Sequence, residues 1–165
     1  ADVLAKWEDP AYVRYFIELL ADRHFDVRIT AVQFLGKMRD PQAVEVLLPL
    51  LRDPDSDVRW ASAVALGNLG DERAIEALVL VLIDEERTVR AAAENALEHI
   101  DDHWPCSKAA QQAAVRLEAS LDDNCAWVRS AVRQVLAKLN IPEASDHATP
   151  CAGLPTIGFH GRRQA

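Results

Sequence analysis

Apolar positions recur along this chain in two alternating kinds of helical stripe. Four segments, 26-DVRITAVQFLGKM-38, 57-DVRWASAVALGNL-69, 88-TVRAAAENALEHI-100 and 127-WVRSAVRQVLAKL-139, each carry a Val-Arg pair near the start. Each then has an apolar or small residue four, seven, eight and eleven positions after that Val. The stripes are Val27, Ala31, Phe34, Leu35, Met38; Val58, Ser62, Ala65, Leu66, Leu69; Val89, Ala93, Ala96, Leu97, Ile100; and Val128, Val132, Val135, Leu136, Leu139. A helix of 3.6 residues per turn puts each set on one side. We call these the A segments. Between them lie B segments with their own stripes: Val13, Phe16, Ile17, Leu20; Val44, Leu47, Leu48, Leu51; Ile75, Leu78, Val79, Leu82; and the less regular Ala114, Leu117, Glu118, Leu121. Glu118 interrupts its stripe and should face solvent or find a partner.

The predicted boundaries have local causes. Asp9-Pro10 and Asp40-Pro41 place a capping carboxylate before a proline at the first helical position. Ser107 can cap the last B helix, and Gly70 can take the left-handed conformation that ends a helix. Pro49 lies inside a predicted helix and should kink it, because its ring removes one backbone donor.

The A segments start at residues 26, 57, 88 and 127, so the spacings are 31, 31 and 39 and the third unit carries eight extra residues. A single helix pair cannot bury its stripe, whereas a stack of pairs buries a continuous core. The expectation is an all-α fold, an α-α superhelix of about four helix pairs plus a leading half repeat, over residues 1–140. Trp7 with Val3 and Leu4 should cover one end, and Ile141 with part of the tail the other. Residues 141–165, with three Pro, three Gly and no periodicity, read as an irregular or disordered tail.

The unit 57-DVRWASAVALGNLGDERAIEALVLVLID-84, with its D-V-R, its A-L-G and its trailing Leu and Asp, resembles the HEAT-like repeats of the phycobilin-lyase type. The resemblance extends over about residues 9–140. It implies an α-solenoid whose B helices line the concave side. It also implies that Arg28, Arg59, Arg90 and Arg129 pair along the stack with Asp53, Asp84 and Asp122 as a structural ladder. A functional reading would make the same four arginines an anion ladder, and the structural ladder is the expected one.

On the expected concave side, rows of positions align across units: Tyr15, Val46, Ala77, Arg116; Ala11, Gln42, Arg73, Gln112; and Glu18, Pro49, Leu80, Ala119. The centre is apolar, with Arg14, Glu45, Arg73, Glu76 and Arg116 around it. An apolar strip with a charged rim suits a partner helix or extended segment. The expected function is a non-catalytic scaffold or adaptor that binds a protein through Arg14, Tyr15, Glu18, Glu45, Val46, Arg73, Glu76, Leu80 and Arg116. The alternative is a phycobilin-lyase-type subunit, which the resemblance would have use the same groove for a bilin and a phycobiliprotein helix. Ile29, Trp60 and Val64 mark a second candidate contact on the outer face of the A helices.

Composition narrows the partner. Half of the 165 residues are apolar but only 6% are aromatic, which suits close-packed helices better than a sheet. The net charge of −8 resides in residues 1–140, since the last 25 hold two Arg, one Glu and one Asp. An acidic chain argues against nucleic acid, whose binding depends on phosphate neutralisation. No apolar run approaches a membrane span. The start, ADVLAKWEDP, has the pattern of neither a signal nor a transit peptide. Three cysteines without framework spacing favour reduced thiols and a cytoplasmic setting.

Candidate chemistry is sparse. There is no Gly-rich phosphate loop, G-x-S-x-G, H-E-x-x-H or C-x-x-C, and no cofactor is expected. Two enzymatic branches of HEAT-like proteins leave traces that can be sought. Deoxyhypusine hydroxylases carry His-Glu pairs for two irons, and here only the reversed Glu98-His99 occurs. HEAT-like alkylpurine glycosylases need a basic, aromatic groove, against which the acidic balance argues. The irregular 99-HIDDHWPCSK-108 offers His99, His103 and Cys106 as a candidate zinc set. Asp101-Asp102 and Pro105 end the helix there, however, and the eight extra residues read more simply as a longer loop with Trp104 folded onto the stack. The intervening helix also separates Cys106 from Cys125 by roughly 24 Å, too far for a disulfide.

Overall fold

The computed structural model describes residues 10–38, 40–122 and 125–139, without the side chains of 10–12, 120 and 122. The expected end caps around Trp7 and Ile141, and the tail 141–165, lie outside the described residues. Among those residues there are eight α-helices and no strand. They are α1 (Pro10–Leu19), α2 (Phe25–Met38), α3 (Ala43–Leu47), α4 (Ser56–Leu69), α5 (Ile75–Val81), α6 (Arg87–Ile100), α7 (Lys108–Glu118) and α8 (Ala126–Lys138). Short 3-10 turns at 48–52, 72–74, 104–106 and 119–122 extend or precede the B helices.

The stripes explain the layering. Leu35, Leu66 and Leu97 from the A helices, and Leu47, Leu78 and Leu117 from the B helices, are fully buried in one continuous core. Ser62 sits in an A stripe at zero exposure, and its hydroxyl donates to the Val58 carbonyl at 2.8 Å, so burying it leaves no unmet polar group. Glu118 is exposed.

Helix ends follow side-chain chemistry. Asp55 accepts from the backbone N–H groups of Asp57 and Val58 at the start of α4, and Ser107 accepts from that of Ala110 at the start of α7. Gly70 closes α4 at φ 68°, a left-handed conformation that favours glycine. Asp40 accepts from the backbone of Gln42 at 2.9 Å, but α3 starts at Ala43 rather than at Pro41. Pro49 coincides with the change from α to 3-10 geometry at Leu48, so the second B helix tightens in its last turn.

The A helices form a row in which α2 packs along α4 and α4 along α6. This closeness depends on glycine. A Cβ on Gly36 would lie 2.7 Å from the Ala65 Cβ, and one on Gly67 would lie 2.8 Å from the Ala96 Cβ. The position equivalent to Gly36 and Gly67 in the third unit is Glu98, and the position equivalent to Ala65 and Ala96 in the fourth is Val135. Neither side chain permits that approach. Helix α8 accordingly leaves the row and rests mainly on α7 and the 119–122 turn. The eight extra residues place a buried Trp104 at the joint between α6 and α7.

Candidate protein-binding groove

The B helices present most of the residues that sequence reasoning selected. On α1, Arg14, Tyr15 and Glu18 are exposed, Tyr15 by 56%. On α3, Glu45 is exposed and Val46 half-buried. Arg73 is exposed just before α5, Glu76 and Leu80 are half-buried on it, and Arg116 is exposed on α7.

Four of these charges are paired with one another across units while staying accessible to solvent. Arg73 donates to Glu45 at 2.9 Å, to Asp71 at 2.7 Å and to the Pro41 carbonyl at 2.8 Å, tying its unit to the preceding one. Arg116 pairs with Glu76 at 3.0 Å and ties α7 to α5. The hydrogen bond from Arg73 holds the Asp71 carboxyl below its usual range, helped by the Arg73 backbone N–H.

A groove of about 920 Å³ opens between α3, α5 and α8. Its apolar lining includes Leu48, Pro49, Ala77, Leu80 and Ile83, and Glu45 stands at its rim. Of the nine sequence-selected residues, Glu45 and Leu80 line it. Arg14, Tyr15 and Glu18, on α1, do not. Trp127, 45% exposed at the start of α8, lines the groove and was missed. A signal existed: the residue before the Val-Arg pair is Asp26, Asp57 and Thr88 in the other units, and only here aromatic.

The arginine ladder borders this groove. Arg28 grips Asp53 with two bonds of 2.9 and 2.7 Å and donates to the Asp22 carbonyl at 2.9 Å. Arg59 repeats the arrangement one unit later, with bonds of 2.8 and 3.0 Å to Asp84 and one of 3.0 Å to the Asp53 carbonyl. The hydrogen bonds to Asp53 and Asp84 raise the pKa of each guanidinium, against a smaller opposing effect of burial. Arg90 donates to the carbonyls of Asp84 and Glu85. Arg129 is half-buried at the start of α8, and the Asp122 side chain lies outside the described residues.

In the irregular segment, α6 ends at Ile100, so His99 and His103 stand on different elements and do not share a helical face. Both are exposed and Cys106 is half-buried. No group of three or more His, Cys, Asp or Glu is placed to hold a metal ion among the described residues. No described helix is long and apolar enough to cross a membrane. On the outer face, Trp60 and Val64 are exposed and line a second groove of about 470 Å³ between α4 and α6, while Ile29 is half-buried.

Comparison with known proteins places this architecture. No curated protein sequence matches the chain. Among solved structures, an engineered protein is 24% identical with a TM-score of 0.51, covering 77% of this chain and 62% of its own. The complex of CpcE and CpcF of phycocyanin lyase from Nostoc sp. PCC7120 is 24% identical with a TM-score of 0.52, covering 84% of this chain and 56% of that one. A second engineered protein is 25% identical with a TM-score of 0.50, covering 78% and 37%. The chain thus spans less than two thirds of each, and the first two likenesses are of fold alone. The sequence profile of HEAT repeats matches residues 1–98, more than half of the 165. With helix pairs stacked at a 31-residue spacing on one shared core, the chain belongs to the HEAT repeat family.

Proposed function

We propose that this chain is a non-catalytic, cytoplasmic adaptor that holds a partner polypeptide in the groove between α3, α5 and α8. The supporting observation is the groove's composition. Leu48, Pro49, Ala77, Leu80, Ile83 and Trp127 give it an apolar wall, while Asp53, Asp84 and Glu45 in the same lining are already engaged by Arg28, Arg59 and Arg73. Affinity would then come from burying an apolar helix or strand, with the paired charges shaping the rim. The test compares proteins captured from the source organism by the wild-type chain and by a Leu80→Glu/Trp127→Ala variant with unchanged helical circular dichroism. A partner retained through a high-salt wash by the first and lost by the second is expected. Identical captured sets would refute the assignment of the groove.

A second reading draws on the fold likeness to the CpcE–CpcF complex: a lyase-type subunit that holds a tetrapyrrole in the same groove. Titration with phycocyanobilin separates the two. A saturable absorbance shift abolished by Trp127→Ala supports the lyase-type reading, and an unchanged spectrum opposes it.

A further inference from the structure

The outer groove between α4 and α6 has a chemistry unlike the rest of the surface. Charged residues make up 27% of the chain, yet no Asp, Glu, Lys or Arg lines this groove. Its walls include Trp60 and Val64 on α4 and Ala91, Asn95 and His99 on α6, and its floor is small, at Gly67, Ala92 and Ala96. Trp60 stands beside this depression, 41% exposed. One face therefore carries both a large apolar knob and a shallow hollow.

Charge returns at the two ends of α6 and at Asp57, one turn before Trp60 at the start of α4. Arg87, Ala91, Asn95 and Glu98 follow one another at helical spacing along a single stripe, and all four are exposed. Arg87 and Glu98 are eleven residues apart, roughly 16 Å along the helix. Neither is ion-paired among the described residues. The stripe thus runs from positive through neutral to negative. If a second copy lay across it by a two-fold rotation, its α6 would run antiparallel. Each Arg87 would then meet the other copy's Glu98, and each Trp60 could enter the other copy's hollow. A parallel arrangement would instead set like charges together. Two chains of net charge −8 repel in general, so they can associate closely only through a face that is uncharged at its centre and complementary at its ends.

From this geometry we infer that the outer face of α4 and α6 is a self-association surface, with a second copy of this chain as its occupant and Trp60 as the central anchor. The surface is distinct from the B-helix groove, so a dimer leaves that groove open.

Sedimentation velocity with the full chain in low salt tests the inference. At about 100 µM, above the dissociation constant of a small interface, the wild type should sediment at twice the chain mass. Trp60→Glu should weaken association at least tenfold with unchanged helical circular dichroism. Arg87→Glu and Glu98→Arg should each weaken it several-fold, and the two together should restore it, because the swap re-creates both pairs. A wild-type chain that stays monomeric at this concentration overturns the inference and leaves the patch to another protein or to none. A dimer that survives Trp60→Glu shows association elsewhere and overturns it equally. Failure of the double swap to restore binding refutes the antiparallel pairing.

Discussion

Replacing Gly67 with alanine sets two known effects against each other. Inside a helix, alanine is favoured over glycine by about 0.8–1.0 kcal/mol. Against that, the new Cβ would lie 2.8 Å from the Ala96 Cβ and 2.9 Å from the Ala96 Cα, where ordinary contact begins near 3.4 Å. The second obstacle is backbone, so no rotamer change relieves it. Helices α4 and α6 would have to separate by roughly half an ångström along an interface that is otherwise close-packed. Overpacking of this kind costs about 1–3 kcal/mol, and a backbone clash belongs in the upper part of that range. The expected net effect is a loss of about 1–2 kcal/mol, or roughly 2–8 °C in melting midpoint for a chain of this size. Thermal and urea unfolding followed by circular dichroism measure it, with Asn68→Ala as a neighbouring exposed control expected to be near neutral. Gly36→Ala should behave like Gly67→Ala, since its Cβ would meet Ala65 at 2.7 Å. A Gly67→Ala chain that melts at or above the wild type would show that helix propensity outweighs packing here and that the A helices do not need glycine to stack.

Two further outcomes follow from the ion pairs. Arg59→Met leaves the Asp84 carboxylate, whose side chain is 10% exposed, without its bidentate partner, so urea unfolding should show a loss of about 3–5 kcal/mol. Adding Asp84→Asn keeps an acceptor for the Glu86 N–H and should recover a large part of that loss; simple additivity of the two losses would show that the pair is not coupled. Asp71 has its folded pKa lowered by its bonds from Arg73, so its stabilising contribution is full above the ordinary carboxylate range and is lost as pH falls through the folded value. The stability gap between wild type and Asp71→Asn should therefore narrow between pH 7 and pH 3, and a constant gap in urea titrations at the two pH values would contradict this.

Much of the fold was legible because its causes are local. Stripe positions such as Leu35, Leu66 and Leu97 repeat at a spacing set by the helix itself, and they are fully buried. Gly70 and Ser107 act on residues within a turn of themselves, and both terminate or start helices as their chemistry requires. Pro41 was legible only in part, because its carboxylate partner organises a turn that delays α3 by two residues. The groove was less legible. Rows of B-helix positions assume that every unit turns by the same amount, which fails where Glu98 and the eight extra residues interrupt the third unit. Trp127 consequently lies in a groove that straight row-counting builds from B-segment residues alone.

The sequence by itself determined the helices, their order, their buried faces and the 31-residue repeat, because these depend on 3.6-residue periodicity and on caps a few residues away. Only the tertiary structure decided which charges pair across units. Arg73 reaches Glu45 and the Pro41 carbonyl, 28 and 32 residues back, and is thereby a brace between units as well as a rim charge. It also decided that α8 leaves the A-helix row and carries Trp127 to the B-helix side. The physical reason is that contacts between units depend on how closely two backbones approach. That approach is set by pairs such as Gly67 with Ala96, which local periodicity does not encode.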